Sequence, residues 1–193
     1  MPRAVPLIDE VRACTACAKS LPAGPRPIVQ FDRHSRIVII GQAPGSKVHA
    51  SGVPWQDDSG DRLRAWTGLS DVAFYDPAKV ALMPMGFCYP GKGRSGDLPP
   101  RRECAPLWHE RMLATMPDCR LFLLVGSYAQ AHYVKSRKLT ETVRVFAAHP
   151  GFFPLPHPAW RSAIWIKRNP WFETEVLPAL RRSVRKALKG SST

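Results

Sequence analysis

Residues 36–41, Arg-Ile-Val-Ile-Ile-Gly, place four branched aliphatic residues in a row with no polar residue among them. A strand with one wet face alternates apolar and polar side chains. An unbroken run of this length fits a strand covered on both faces, as in a parallel sheet. The run ends in Gly41, which opens the turn Gly41-Gln-Ala-Pro-Gly45. Ligands of open α/β sheets bind at the carboxyl ends of the strands, so this turn is the first candidate for a binding edge.

Further segments repeat the theme. Residues 79–83, 121–126 and 143–147 read as strands, and residues 103–116 and 127–134 as helices. Residues 7–19 read as a short helix carrying Cys14 and Cys17, and residues 159–189 as helices broken at Pro170. The segment 59–69 predicts a helix with Ser59 as N-cap and Leu63 and Trp66 on one face. This alternation predicts the α/β class: a three-layer α/β/α domain around a central, mostly parallel four-stranded sheet. We find no repeat and no second domain, so residues 1–193 are expected to form one domain with 190–193 as a disordered tail. The long loop 88–101, rich in Gly, Pro and Arg, exceeds ordinary connections and is expected to be functional or pinned by a metal.

Charge narrows the partner. Lys and Arg number 28 against 15 Asp and Glu, a net charge of +13 with a pI near 10.1. Phosphates attract such a surface without reading sequence, so nucleic acid is favoured over a merely basic, solvated surface. The run Arg181, Arg182, Arg185, Lys186, Lys189 falls at helical spacing and is read as a solvated face. Apolar runs such as Leu121–Val125 are far shorter than the roughly 20 residues needed to span a bilayer. Acidic residues interrupt the N-terminal apolar stretch, so no signal peptide is expected and a cytoplasmic location is. Nothing signals an obligate oligomer, and a monomer is expected. The five cysteines (Cys14, Cys17, Cys88, Cys104, Cys119) are odd in number, which argues against a disulfide framework. The chain holds no G-x-S-x-G, no Walker loop and no G-x-G-x-x-G, which sets aside an α/β-hydrolase or a nucleotide-binding enzyme.

In this order the segments resemble the uracil-DNA glycosylase superfamily, and its iron–sulfur branch above the others. Gly41-Gln-Ala-Pro-Gly45 is similar to that branch's first motif, a strand followed by Gly-Glu-Ala-Pro-Gly. Gly52-Val-Pro-Trp55 is similar to its Gly-x-Pro-Phe segment, with Ser59-Gly60 in place of Ala-Gly. The stretch from Met83 to Cys88 resembles the strand that runs into its cysteine loop, and His157-Pro158 resembles its His-Pro-Ser motif. The resemblance spans residues 10–180. The family's cluster ligands, a Cys-x2-Cys pair and two cysteines sixteen apart, correspond to Cys14, Cys17, Cys88 and Cys104. Four thiolates from two segments suit a [4Fe–4S] cluster or a structural zinc equally, and only the resemblance favours the cluster. The alternative is four unrelated buried thiols with no metal. Cys119 fits no ligand role and is read as core.

The resemblance implies a DNA-repair glycosylase that flips a deaminated base out of the stack and hydrolyses its N-glycosidic bond. Trp55 would be the stacking platform, with Gly41, Gln42 and Ala43 at the base or its water. Gly45 would admit the DNA backbone, and His157 would donate to uracil O2 as charge develops there. Trp160 or Arg161 would fill the space left by the base, and Lys92, Arg94, Arg101 and Arg102 would meet phosphates. The bland readings are a core Trp55, a structural His157 and a helix-start Trp160 buried in the core.

The sequence departs from the family pattern twice. The first-motif Glu is Gln42 here, and an amide positions water but takes no proton. A carboxylate elsewhere would then act: Asp57 first, then Asp58, with His49 a third choice, unless the two aspartates are simply loop or capping residues. The family's base-reading Asn is Pro84 here. Recognition would fall to backbone groups of that strand, Met85 among them, or to a residue such as Asn169. These departures leave room for hypoxanthine or xanthine as the excised base, or for a non-catalytic DNA-binding relative.

Overall fold

A computed structural model describes residues 6–189. The expected tail at 190–193 lies outside them. The described strands are β1 (Ile37–Ile40), β2 (Val80–Leu82), the hairpin pair β3 (Lys92–Gly93) and β4 (Gly96–Asp97), β5 (Leu121–Val125) and β6 (Phe152–Leu155). Four of them form the central sheet in the order β2-β1-β5-β6, every pairing parallel. The helices are α1 (Leu7–Arg12), α2 (Ser46–Ser51), α3 (Asp58–Thr67), α4 (Asp71–Phe74), α5 (Cys104–Ala114), α6 (Ser127–Tyr133), α7 (Leu139–Arg144), α8 (Ser162–Arg168) and α9 (Leu177–Lys189). None of the described helices is long and apolar enough to cross a membrane.

The unbroken run in β1 has the cause inferred from its sequence. Alternate residues serve two cores, because successive strand side chains point to opposite faces. Ile37 and Ile39 pack with Leu63 and Trp66 of α3 and with Leu180 and Val184 of α9. Val38 and Ile40 pack on the other face with Trp108 and Met112 of α5 and Ala129 of α6. Both faces are thus covered by helices. α9 turns its apolar side, including Leu177 and Ala187, to the first core and leaves most of its basic residues in solvent. Arg181 also closes the end of α3, donating to the carbonyls of Ala65 and Trp66.

The structure corrects three local expectations. Residues 143–147 are not a strand: α7 ends there and a short 3₁₀ turn, Phe146–Ala148, follows. The fourth strand is β6, which contains Pro154. Proline is tolerated because β6 is an edge strand. α1 stops at Arg12, so Cys14 and Cys17 sit in tight turns after the helix rather than on it. The N-cap of α3 is Asp57 and not Ser59; its Oδ1 accepts from Gly60 N at 2.9 Å.

His109 ties α5 and α6 to the chain beyond β2. Its Nε2 lies 3.1 Å from the Pro84 carbonyl and its Nδ1 2.7 Å from the Tyr133 hydroxyl. A carbonyl only accepts, so Nε2 carries the proton and Nδ1 accepts from Tyr133. Burial pushes its pKa down to about 4. The unfolded chain, with a His value near 6.5, therefore binds more protons than the folded one between those limits. Stability from His109 is complete above about pH 6.5 and is lost as pH falls toward 4, on the order of 3 kcal/mol across the window. Urea unfolding at stepped pH should show this decline, and His109→Phe should flatten it; an unchanged slope in the variant would assign the decline to other groups.

Candidate active site

Four strand ends meet at one side of the sheet. The turn Gly41–Gly45 follows β1, Pro84 follows β2, Gly126 follows β5 and His157 follows β6. From β1 the chain crosses to β2 on one side, and from β5 to β6 on the other. This is the switch point at which open α/β sheets bind ligands. A cleft of about 650 Å³ opens there, within the range of small-molecule and cofactor sites. Gly41, Gln42, Ala43, Trp55, Asp57 and His157 line it together with Trp160 and Arg161.

The turn is held by the strand beyond β2: Met85 N donates to the Gly41 carbonyl at 2.9 Å and Gly86 N to the Gln42 carbonyl at 3.0 Å. Trp55 sits on this turn in the left-handed region, φ 58°, which is unusual for a bulky residue. Two glycines make its position possible. A Cβ on Gly41 would lie 2.6 Å from Cζ2 of its indole, and a Cβ on Gly60 only 1.8 Å from its carbonyl oxygen. The indole stacks on His157, ring centroids 5.8 Å apart and planes 29° apart.

His157 is set by its surroundings. Its carbonyl accepts from the Ser162 hydroxyl, and Arg62 of α3 donates to the next carbonyl, Pro158 O, at 2.9 Å. Gly126 takes φ 92°, a conformation that favours glycine, and a Cβ there would be in ordinary contact with that of His157, 3.4 Å away. Burial lowers the His157 pKa and the Asp57 charge opposes the shift, with burial the larger effect. The ring is neutral at pH 7 and offers one N–H donor.

Asp57 lines the cleft while capping α3 through one oxygen, which leaves its second oxygen for other partners. Asp58 turns away to Lys47 at 3.1 Å, 90% exposed. His49 is half-buried beside Tyr89 and is not among the residues lining the cleft. The rim is formed by the β3–β4 hairpin and by Trp160, which is 70% exposed and so is not a core residue. Arg161 stacks on Trp160 and donates to the Ser95 carbonyl at 3.2 and 3.3 Å, bridging the two sides. Lys92 and Arg94 are exposed on the hairpin or flank its tip.

Three expected site residues lie elsewhere. The Met85 side chain is buried in the second core and does not line the cleft; only its backbone supports the turn. Asn169 caps α8 and donates to Trp165 O at 2.8 Å. Arg101 pairs with Glu103 at 2.6 Å and lines the cysteine pocket, away from the cleft. The sequence reading passed over Asp97 and Ser95, which line the cleft from the hairpin. Only the unusual length of their loop hinted at a role.

The second pocket is small and lies beside the N-terminal turns. Cys14, Cys17, Cys88 and Cys104 line it with Arg101. Cys104 opens α5, and Phe87 N donates to its sulfur at 3.4 Å. Arg101 Nε is buried there without a protein partner. Among the described residues, no three His, Cys, Asp or Glu side chains are gathered as a chelate for a single metal ion. Cys119 lies apart, packed against the second core.

The doubly covered parallel sheet, a cleft at its switch point, and an indole stacked on an imidazole there define an α/β protein with a candidate binding cleft walled in part by aromatic rings. Residues 28–181 match the family model of the uracil DNA glycosylase superfamily, and the chain belongs to that superfamily. Its members are glycosylase hydrolases that act on DNA.

The cap on α3 yields a direct test of what Asp57 holds together. Asp57→Ala should cost about 1 kcal/mol in urea unfolding, while Asp57→Asn, an equally good N-cap, should cost only a few tenths. Equal losses from both would detach the carboxylate from the capping role.

Proposed function

We propose that the protein excises a deaminated base from DNA, uracil first, as a monofunctional glycosylase that leaves an abasic site. The observation that carries this reading is the meeting of Trp55, the neutral His157 and the second oxygen of Asp57 in one cleft of a superfamily member. The target base leaves the stack and lies on the Trp55 indole. Water attacks the sugar C1′, Asp57 takes its proton, and the N-glycosidic electron pair departs with the base. His157 N–H meets the charge that develops on the base oxygen. Gln42, an amide, orients the water. Trp160 fills the vacated stack, and Lys92 and Arg94 hold phosphates.

We infer that the four cysteines bind a [4Fe–4S] cluster in preference to zinc. Zinc draws four sulfurs tightly around one ion at about 2.3 Å, whereas a cluster spreads its ligands around a larger body. The four cysteines line one pocket, and their spacing resembles that of the family's cluster ligands. The Phe87 N–H on Cys104 and the unpartnered Arg101 Nε suit an anionic cluster. When bound, it supplies a covalent knot between the N-terminal turns and the loop that carries the hairpin. Purified anaerobically, the protein should contain iron and acid-labile sulfide in equal amounts; equimolar zinc instead would overturn this assignment.

A second reading is a DNA-binding relative without glycosylase chemistry, favoured by Gln42 and by the use of one Asp57 oxygen as a cap. Oligonucleotides holding one uracil, hypoxanthine or xanthine separate the two. Alkali-dependent cleavage at that position is expected from the glycosylase, and none on any substrate, with tight DNA binding, from the relative. His157→Ala should slow base release by roughly 100- to 1,000-fold. Asp57→Asn should slow it by roughly 100-fold or more while keeping the helix cap. Either variant retaining full activity removes that residue from the mechanism.

A further inference from the structure

The cleft wall contributed by the strand beyond β2 offers Pro84 and no polar side chain, so the base's polar edge must meet something else. The other walls supply few candidates. The Gly41 and Gln42 carbonyls already accept from Met85 and Gly86, and Pro84 O accepts from His109. Asp57 is bound to α3 and beside His157.

Asp97 remains. It stands on β4 and lines the cleft, with Oδ2 3.3 Å from where a Cβ on Gly45 would be. Trp55 packs on Gly41 at the other end of the same turn. The indole and the carboxylate thus stand at opposite ends of one turn that spans at most about 14 Å, both facing the same cleft. Burial raises the Tyr89 pKa, and Asp97 adds to the rise by its charge and by its hydrogen bond with the phenol. Lys92 stands opposite Asp97 across the hairpin. The exposed Asp97 carboxylate has one phenol as neighbour and keeps acceptor capacity toward the cleft it lines.

We propose that Asp97 reads the deaminated base by accepting the ring N–H of its Watson–Crick edge. The proposal rests on the glycosylase reading above. Deamination turns cytosine N3 and adenine N1, both lone-pair acceptors, into the N–H donors of uracil and hypoxanthine. A carboxylate only accepts. It binds the donor and repels the lone pair of the parent base, so a single group separates uracil from cytosine and hypoxanthine from adenine; it does not separate them from thymine or guanine, which carry the same ring N–H. The same chemistry admits xanthine, which carries N1–H. The broad platform of Trp55 accommodates one ring or two, and selection falls on the edge that both kinds of base share.

Free bases isolate this contact from catalysis. Binding of uracil and of 3-methyluracil to the holoprotein, followed by saturation-transfer NMR, should show uracil bound at least tenfold more tightly. In Asp97→Ala the two should bind alike. A preference that survives in Asp97→Ala, or wild-type protein that does not distinguish the two bases or binds neither, overturns the proposal. On DNA, Asp97→Ala should release deaminated bases at least tenfold more slowly and bind undamaged duplex within twofold of wild type; release at the wild-type rate also overturns it. Wild-type protein that prefers uracil yet releases no base from DNA would overturn the glycosylase reading and leave the Asp97 contact standing.

Discussion

The position of Trp55 is the constraint on which the cleft depends. A bulky residue in the left-handed region costs roughly 1–2 kcal/mol, and it persists only where its surroundings over-determine it. Here they do so from three sides. Gly41 lets the indole lie on the turn, Gly60 lets its carbonyl approach the first turn of α3, and His157 stacks on the ring. Each support belongs to a different part of the chain: the end of β1, the start of α3, and the loop after β6. The cleft is therefore a consequence of the whole sheet order, and no single segment encodes it. Asp57 follows from the same geometry, since the turn that orients Trp55 delivers the next residue but one as the cap of α3.

The cysteine pocket and the cleft are mechanically linked by one loop. Cys88 and Cys104 bracket it, and its middle forms the hairpin that lines the cleft with Ser95 and Asp97. Arg161 fastens the opposite rim to Ser95. A short two-stranded hairpin is marginal alone. A group bound by the four cysteines would shorten the free length of this loop and so fix the hairpin's reach over the cleft. Arg101, paired with Glu103 and directed at Cys17, lies at the base of this loop.

Much of the fold was legible because strong signals coincide with buried elements. The aliphatic run of β1 has no competing interpretation. The fourth strand was missed for a physical reason. Val143 to Ala147 is apolar and β-branched at its start, whereas β6 contains a proline, which ordinarily demotes a strand. An edge position removes that penalty, and edge positions are not visible in a sequence. The site was legible where a motif fixes backbone geometry, as at Gly41, Trp55 and His157. It was not legible where function depends on what a side chain finds across space. Met85 points into the core, Arg101 finds Glu103, and Asp97 reaches the cleft only because the hairpin folds over Gly45.

The two departures from the family pattern fall at the same turn and act together. Gln42 removes a carboxylate from the end of β1, and Pro84 removes a polar reader from the end of β2. The cleft keeps two carboxylates all the same, Asp57 on one wall and Asp97 on another. A third negative charge on the β1 turn would repel both, and the neutral Gln42 amide avoids that repulsion. The neutral His157 fits the same balance, since a single N–H can meet a developing oxyanion without first pairing with either aspartate. The substitutions thus read as a redistribution of charge within the cleft, from the turn to its walls.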